Sequence, residues 1–290
     1  DVQLVQKAVQ LKETVVTANS SQEKVETTQM STIEIPVTTI KTLPVLLGET
    51  DIIKSIQLLP GVKSGTEGTS GMYVRGGASD QNLILLDGVP VYNVNHLFGF
   101  FSVFNSDAIN TVKLVKGGFP ARYGGRLSSV LDIHMKEGNN KKIKGEGGIG
   151  IIASKLTLEG PVYKDKSSFI ISGRRTYIDI LAQPFIGIAN ANSDEKIHAG
   201  YFFYDLNGKT NYKFSDKSHL YLSAYLGNDK AYFNMKDKSD SKNKMSSMLR
   251  WGNITSVLRW NYRLTDKLFS NTTATYSQYK FITKIEEILD

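Results

Sequence analysis

Apolar and polar residues alternate along most of the second half of the chain, from about residue 143 onward. Between residues 204 and 214 the even positions carry Tyr, Leu, Gly, Thr, Tyr and Phe, whereas the odd positions carry only Asp, Asn and Lys. A period of two is typical of a β-strand with one apolar and one polar face. The pattern predicts strands at roughly 144–158, 167–175, 199–214, 219–233, 248–264 and 268–280.

The connections between these strands are of two alternating kinds. Those near residues 161–166, 215–218 and 265–267 are short, whereas those near 176–197 and 234–247 are long and polar. Such alternation is typical of a transmembrane β-barrel, with tight turns on one side of the membrane and extended loops on the other. A soluble antiparallel sheet with one solvated face has the same period, so the pattern alone leaves both structures open.

In the barrel interpretation the two faces of each strand separate lipid from lumen. The predicted lipid-facing side chains are those of Leu206, Tyr212, Phe214, Leu258, Trp260 and Tyr262. The predicted inward-facing side chains are those of Asp205, Lys209, Arg259 and Arg263.

Residues 31–138 predict a compact α/β unit. Alternating apolar residues at 33, 35 and 37 indicate a short strand, and apolar residues at 52, 53, 56 and 59 have helical spacing before Pro60-Gly61. Further strands are predicted at 72–75, 83–86, 111–116 and 130–135, with a helix beginning near residues 106–109.

Residues 1–30 are polar and contain no glycine. One β-prone island interrupts them at residues 13–18, and residues 19–31 have almost no apolar content, which predicts a mobile linker. The island, called the box segment below, consists of Glu13, Thr14, Val15, Val16, Thr17 and Ala18.

Composition excludes several classes of function. The chain has no Cys, and its four His include no pair at i, i+4, so no metal site is expected. No Ser/His/Asp set, carboxylate pair or phosphate loop lies in a suitable context, so neither an enzyme, a catalytic residue nor a cofactor is predicted. The net charge of +7 is spread out, which disfavours nucleic acid. The 14 Tyr and 13 Phe favour a membrane barrel.

Four motifs follow one another within about 50 residues. Residues 72–77 read Met-Tyr-Val-Arg-Gly-Gly, and residues 82–91 read Asn-Leu-Ile-Leu-Leu-Asp-Gly-Val-Pro-Val. Residues 112–118 read Val-Lys-Leu-Val-Lys-Gly-Gly, and residues 122–127 read Arg-Tyr-Gly-Gly-Arg-Leu. In this order they resemble the plug signatures of the TonB-dependent outer-membrane receptors. The residues that carry the resemblance are Arg75, Gly76, Gly77, Asp87, Gly88, Gly117, Gly118, Arg122, Tyr123 and Gly124.

The resemblance implies a fold and a location. An α+β plug at 31–138 would be followed by the first six or so antiparallel transmembrane β-barrel strands at 143–290, in a barrel of about 22 strands. Residues 1–30 would hold the end of a preceding β-domain, the TonB box and a linker. The expected location is the outer membrane of a Gram-negative bacterium.

The resemblance also implies a function, which is the import of a ligand such as a glycan, peptide or siderophore past the plug. The expected partners are the periplasmic C-terminal domain of TonB and outer-membrane lipid. Whether a surface lipoprotein is a further partner is left open, and nucleic acid is not expected. Two alternatives remain open: a non-transporting structural or secretion-associated plugged barrel, and a soluble extracellular β-rich binding protein.

The N-terminal part resembles one subgroup of the family. Residues 46–53 and 58–62 are similar to those of receptors that follow a carboxypeptidase-regulatory-like domain. The box segment resembles the TonB box, which would pair with an exposed sheet edge of TonB by β-augmentation. The last strand of a preceding domain is the alternative interpretation of this segment.

Individual plug residues receive roles from chemistry as well as from the resemblance. Asp87-Gly88 predicts a hairpin turn, and the paired glycines allow sharp turns. Arg75, Arg122 and Arg126, with Asp87 and Glu137, are predicted to form charged contacts between plug and barrel wall, and ordinary surface charges are the alternative. The loop at 92–101 supplies ligand-binding candidates, although packing of this loop against the wall is an equal alternative. These candidates are Tyr92, Asn93, Asn95, His96 and Phe98.

Overall fold

The computed structural model describes residues 31–43, 48–65, 71–191, 193–239 and 244–288. Residues 31–135 form a mixed α/β unit, and residues 144–288 form one large antiparallel sheet beside it. The box segment lies outside the described residues. No helix in the described part of the chain is long and apolar enough to cross a membrane.

The α/β unit is built on a five-stranded sheet with the order β1-β8-β9-β4-β5. Strand β4 runs parallel to β9, and the other pairs are antiparallel. The strands are β1 Thr32–Pro36, β2 Val62–Ser64, β3 Met72–Val74, β4 Asn82–Leu86, β5 Val89–Pro90, β6 Asn95–His96, β7 Phe101–Ser102, β8 Ile109–Lys116 and β9 Ser129–Met135.

Two short helices, α1 Val37–Ile40 and α2 Ile52–Gln57, pack into the core of this unit. Helix α2 begins where the Asp51 carboxylate accepts a hydrogen bond from the Lys54 backbone N–H at 3.0 Å. Its isoleucines at 52, 53 and 56 are fully buried, as the helical spacing predicts.

The Asp87-Gly88 turn is confirmed. Leu86 pairs with Val89 across a two-residue loop, and both loop residues have positive φ, 50° at Asp87 and 85° at Gly88. This is the type I′ geometry that Asp-Gly favours, because its twist matches that of the two strands.

The large sheet has seven strands in sequence order, each antiparallel to the next. It is an open meander with β10 at one edge and β16 at the other. The strands are β10 Lys144–Ile149, β11 Ala153–Tyr163, β12 Ser167–Thr176, β13 Glu195–Ser215, β14 Ser218–Asp237, β15 Lys244–Arg263 and β16 Phe269–Ile288.

Several predicted boundaries were wrong. The single strand predicted at 144–158 is two strands, because the chain turns at 150–152 and the Gly150 N–H donates to the Ala153 carbonyl at 2.8 Å. The predicted loop at 234–247 is shorter, since β14 and β15 run further. The predicted loop at 176–197 contains helices α3 Ile178–Leu181 and α4 Gln183–Ala191.

Two predictions in the α/β unit also fail. Residues 106–108 form a turn rather than a helix start, because the Asn105 side chain accepts the Asp107 N–H at 3.1 Å and strand β8 begins at Ile109. Val37 opens helix α1 instead of continuing β1. In both places local hydrogen bonds or packing override the pattern of apolar residues.

The two faces of the large sheet differ as predicted. Leu206 is 50% exposed on the face away from the α/β unit, called the outward face below, whereas its neighbour Asp205 is 2% exposed on the inward face. All six side chains predicted to face outward are exposed. Lys209 is buried, and Arg259 reaches inward to the Asp87 carbonyl at 2.9 Å, whereas Arg263 is exposed at the end of its strand.

Candidate functional site

The boundary between the α/β unit and the inward face of the sheet holds a buried ionic network centred on Asp205. Its carboxylate accepts hydrogen bonds from Arg174 Nε at 2.9 Å and from the Tyr225 hydroxyl at 2.8 Å, and lies 2.8 Å from His96 Nε2. Arg174, Asp205 and Tyr225 belong to β12, β13 and β14, whereas His96 belongs to the α/β unit. The network therefore joins the two parts of the chain.

Arg174 extends this network into the α/β unit. Its guanidinium donates to the Ser102 carbonyl at 2.8 Å, lies 3.5 Å from the Glu49 carboxylate and stacks 5.1 Å from the Phe203 ring centre. Arg174 is 4% exposed, so its charge depends on these partners. A buried charge without partners would cost several kcal/mol, which explains why every side of the guanidinium is occupied.

His96 is held between two carboxylates. Its Nδ1 lies 2.6 Å from Asp229, its Nε2 contacts Asp205, and its ring stacks on Phe203 at 3.9 Å. Burial lowers the pKa of His96, but the charges and hydrogen bonds of Asp205 and Asp229 outweigh that effect and raise the pKa to about 9. The imidazole is therefore a cation at neutral pH and donates to both acids. The described residues hold no group of three or more His, Cys, Asp or Glu arranged for a metal ion.

The Asp229 carboxylate also fixes the loop that follows His96. It accepts the Tyr201 hydroxyl and the Leu97 backbone N–H, and Tyr201 in turn accepts the same N–H at 2.6 Å. Leu97 and Phe98 both have positive φ, 47° and 54°, which is unfavourable for residues with a Cβ. The hydrogen bonds from the sheet hold this backbone conformation in place.

Two further ion clusters cross the same boundary. Asp107 lies 2.5 Å from Lys41 and 2.9 Å from Lys155 of β11. Burial raises the pKa of the Asp107 carboxyl, but the two lysines outweigh it and hold the pKa below its ordinary value. Lys209 of β13 lies 3.2 Å from Asp87 and 2.8 Å from Glu137.

The arginines expected to make these contacts do not make them. Arg75 donates to the Ser31 hydroxyl at 2.8 Å, Arg122 to the Tyr123 hydroxyl at 3.2 Å and Arg126 to the Gly125 carbonyl. Each stays within the α/β unit, so the prediction that they pair with Asp87 and Glu137 was wrong. The sheet supplies the cations instead, through Arg174, Lys155, Lys209 and Arg259.

The other motif residues shape turns in the α/β unit. Gly76, Gly117 and Gly118 have positive φ of 85°, 72° and 60°, whereas Gly77 and Gly124 do not. The Tyr123 hydroxyl donates to Asp132 at 3.0 Å. These residues lie apart from the ionic network around Asp205, and Asp87 belongs to the separate cluster with Lys209.

The five ligand-binding candidates differ in exposure: two are exposed, one is buried, and Asn93 and Asn95 are half-buried. Phe98 is 69% exposed and Tyr92 is 60% exposed, whereas His96 is 1% exposed and belongs to the ionic network. Asn95 donates its backbone N–H to the Asn93 side chain at 3.1 Å, and the Asn93 carbonyl accepts from Asn253 of β15 at 2.6 Å. The loop is thus fixed to the sheet and still presents two aromatic rings.

The sheet adds aromatic residues to this loop that the sequence did not single out. The Phe98 ring lies 5.1 Å from that of Trp251 on β15, and Trp251 stacks with Phe281 on β16 at 6.4 Å. The alternation had placed Asp205 on the inward face, and Asp229 was detectable on the same ground, since it is a charged residue at an inward position of an amphipathic strand. Their common partner His96 depends on contacts across 109 and 133 residues, which no local pattern reveals.

Comparisons with known proteins agree with this architecture. Residues 24–129 match the family described as TonB-dependent Receptor Plug Domain. The siderophore receptor PirA from Acinetobacter baumannii superimposes with a TM-score of 0.50 at 16% identity, over 90% of this chain and 49% of that chain. PirA from Pseudomonas aeruginosa gives 0.49 at 15% identity, over 89% and 53%. Comparison with curated proteins gives no significant match.

The α/β unit is thus the plug of a receptor whose wall begins with the seven-stranded sheet. Residues 24–129 of this chain match the plug domain of the TonB-dependent receptors, and the chain spans about half the length of the solved receptors that it resembles in fold.

Neutralising His96 is expected to weaken the contact between plug and wall. Because the folded-state pKa of about 9 exceeds the ordinary value of 6.5, the stabilisation is complete below pH 6.5 and disappears as the pH rises through 9. This rise in the pKa of His96 corresponds to a contribution on the order of 3 kcal/mol to the free energy of unfolding. Urea unfolding of the full-length protein in lipid vesicles at pH 6, 7.5 and 9 measures how the free energy of unfolding depends on pH. His96→Gln should remove most of this dependence, and an equal dependence in both proteins would contradict the assignment.

If the outward face contacts lipid, Leu258→Arg is expected to cost about 2–4 kcal/mol of folding free energy, because it places a charge within the apolar band. Met248→Arg is the matched control, since Met248 faces outward on the same strand but lies two residues from Arg250, near the membrane boundary. There the expected cost is about 0–1 kcal/mol. Folding titrations into vesicles compare the two, and equal costs would refute the lipid-facing assignment. Arg259→Leu would instead change an inward-facing residue and remove its hydrogen bond to the Asp87 carbonyl of the plug.

Proposed function

We propose that this protein imports a ligand across the outer membrane, with the plug acting as a gate that TonB opens. The observation that carries the proposal is the composition of the boundary between plug and wall. The boundary is rich in ion pairs and hydrogen bonds, including the network around Asp205. Beside them lies one aromatic cluster, in which Phe101 of the plug packs against Phe203 and Trp251 of the wall. The main apolar core lies within the plug. Polar contacts can be replaced by water when part of the plug moves, whereas an apolar core would have to be exposed.

The ligand is proposed to bind at the aromatic end of the plug. Phe98 and Tyr92 are exposed on the loop at 92–101. The Phe98 ring contacts the buried Trp251, which stacks with the exposed Phe281 on the wall. Aromatic rings stack on sugars, peptides and planar chelates alike. The solved PirA proteins are described as siderophore receptors, and at 15–16% identity that likeness extends to the fold.

The partners follow from the same proposal. The box segment would pair with the C-terminal domain of TonB as an added strand, and displacement of the plug would draw on the inner-membrane proton gradient. The proposed domains are the box and linker at 1–30, the plug at 31–138 and barrel strands at 143–290. A preceding carboxypeptidase-regulatory-like domain and a surface lipoprotein partner are further hypotheses within this proposal.

Comparative uptake tests the import function while the ligand is still unidentified. Cells with the intact gene, cells with the gene deleted and cells lacking TonB are grown in the same complex medium, and solute depletion is followed by mass spectrometry. The expected result is at least one solute whose depletion requires both the receptor and TonB and stops when a protonophore is added. Depletion that does not require TonB would favour the non-transporting barrel instead. The absence of any solute whose depletion requires the receptor would favour it as well.

A further inference from the structure

The outward face of strands β13 to β16 changes its chemistry along the strands. Toward the short turns it is apolar, with Leu222, Leu258 and Trp260 exposed. Toward the long loops the outward positions become basic, and Glu286 is the one acidic residue among them within these four strands. This basic belt consists of Lys196, Lys230, Lys236, Lys244, Arg250, Lys280 and Lys284.

Like charges lie directly opposite one another in the basic belt. Lys196 pairs in register with Lys236, which pairs with Lys244 on the next strand, and Lys230 pairs with Arg250. Opposed side chains in a sheet have Cβ atoms about 5 Å apart, and like charges in that position are destabilising. Within the described part of the chain none of these five forms an ion pair. The arrangement therefore calls for an external anion.

A notch of about 150 Å³ lies where the basic belt meets the apolar part of the outward face. Arg250 and Lys280 line it on the basic side, and Leu226 and Ile254 line it on the apolar side. Asn228 accepts a hydrogen bond from Arg250 Nε at 3.0 Å, which holds the guanidinium over the opening. Gly252 also lines the notch, and a Cβ at this position would collide with the Gly227 carbonyl and with Asn228.

We propose that the basic belt binds the phosphorylated headgroup of an outer-leaflet lipid, with a phosphate at Arg250 and Lys280 and an acyl chain along Leu226 and Ile254. A phosphate monoester carries about −1.5 to −2 charges at neutral pH, and Arg binds phosphate oxygens through two parallel hydrogen bonds. An apolar wall directly below the cations suits a lipid rather than free phosphate. This site lies on the opposite side of the sheet from the plug, so the proposal is independent of import.

Lipid binding to the purified full-length receptor tests the proposal. The probe is bisphosphorylated lipid A in phosphatidylcholine nanodiscs, compared with the same lipid after phosphatase treatment, and bound lipid is counted by native mass spectrometry. The test variant is Arg250→Gln combined with Lys280→Gln. The matched control is Lys217→Gln combined with Lys267→Gln, which removes the same charge from exposed residues in the short turns.

Each cation near a membrane surface contributes about fivefold to the affinity for anionic lipid. The double test variant lacks two cations, so it is expected to bind phosphorylated lipid roughly 25-fold more weakly. The control variant should bind like the parent protein, and the dephosphorylated lipid should bind the parent and the test variant equally. Millimolar inorganic phosphate should not displace the lipid. Unchanged binding by the test variant, equal weakening in the control, or displacement by free phosphate would each overturn the proposal. Heat-modifiable migration on gels confirms that both variants are folded.

Discussion

Asp205→Ala is expected to destabilise the folded receptor by about 3–5 kcal/mol, because it leaves buried cations without their shared partner. The Asp205 carboxylate is 2% exposed and contacts Arg174, His96 and Tyr225 at once. Its loss leaves Arg174 with only Glu49 at 3.5 Å as an opposite charge among the described residues. Urea unfolding of the full-length protein in lipid vesicles measures the change in free energy of unfolding.

Asn207→Ala is the matched control for this prediction. Asn207 lies two residues along the same strand, faces inward and is also 2% exposed, but its side-chain N–H₂ has no hydrogen-bond partner among the described residues. We expect a cost below about 1 kcal/mol, the ordinary range for a side chain without buried partners. A double-mutant cycle of Asp205→Ala with His96→Gln should show strong coupling. Additive effects, or equal costs for Asp205→Ala and Asn207→Ala, would mean that the ionic network does not hold the plug.

Proline at residue 15 or at residue 16 is expected to abolish binding of the TonB C-terminal domain if the backbone N–H of the replaced valine donates a hydrogen bond to the sheet edge of TonB. The two variants are Val15→Pro and Val16→Pro. Proline removes the backbone N–H and fixes φ, which interrupts a ladder of backbone hydrogen bonds. Consecutive residues direct their N–H groups to opposite edges of a strand, so at least one of the two variants must fail. Binding of the purified TonB domain to the full-length receptor measures this directly, and uptake of the TonB-dependent solute measures its consequence.

Val15→Ala is the control, since it keeps the N–H and loses only some β-preference. It should retain both TonB binding and uptake, and none of the three variants should change expression, because the box segment precedes the plug. Normal uptake with both proline variants would remove the TonB-box assignment. Loss of binding with Val15→Ala as well would instead indicate recognition through side chains.

The amino-acid sequence by itself determined the division of the chain into a plug and a wall. Helical spacing at 52, 53 and 56 and the Asp87-Gly88 turn depend on neighbours a few residues away, and both were predicted correctly. Alternation likewise determined which face of β13 and β15 is exposed, because a period of two follows from strand geometry alone. Even there, the turn at 150–152 was missed, since glycine-rich residues carry little alternation.

Only the tertiary structure decided how the plug is held and which candidate residues remain exposed. Sequence placed charged contacts between Arg75, Arg122 and Arg126 and two plug acids, whereas the cations come from the wall. His96 was a ligand-binding candidate on a loop for which packing against the wall was the equal alternative, and it lies buried between Asp205 and Asp229. The physical reason is that the energy of a buried charge is set by its nearest partners in space, and here those partners are more than 100 residues away along the chain.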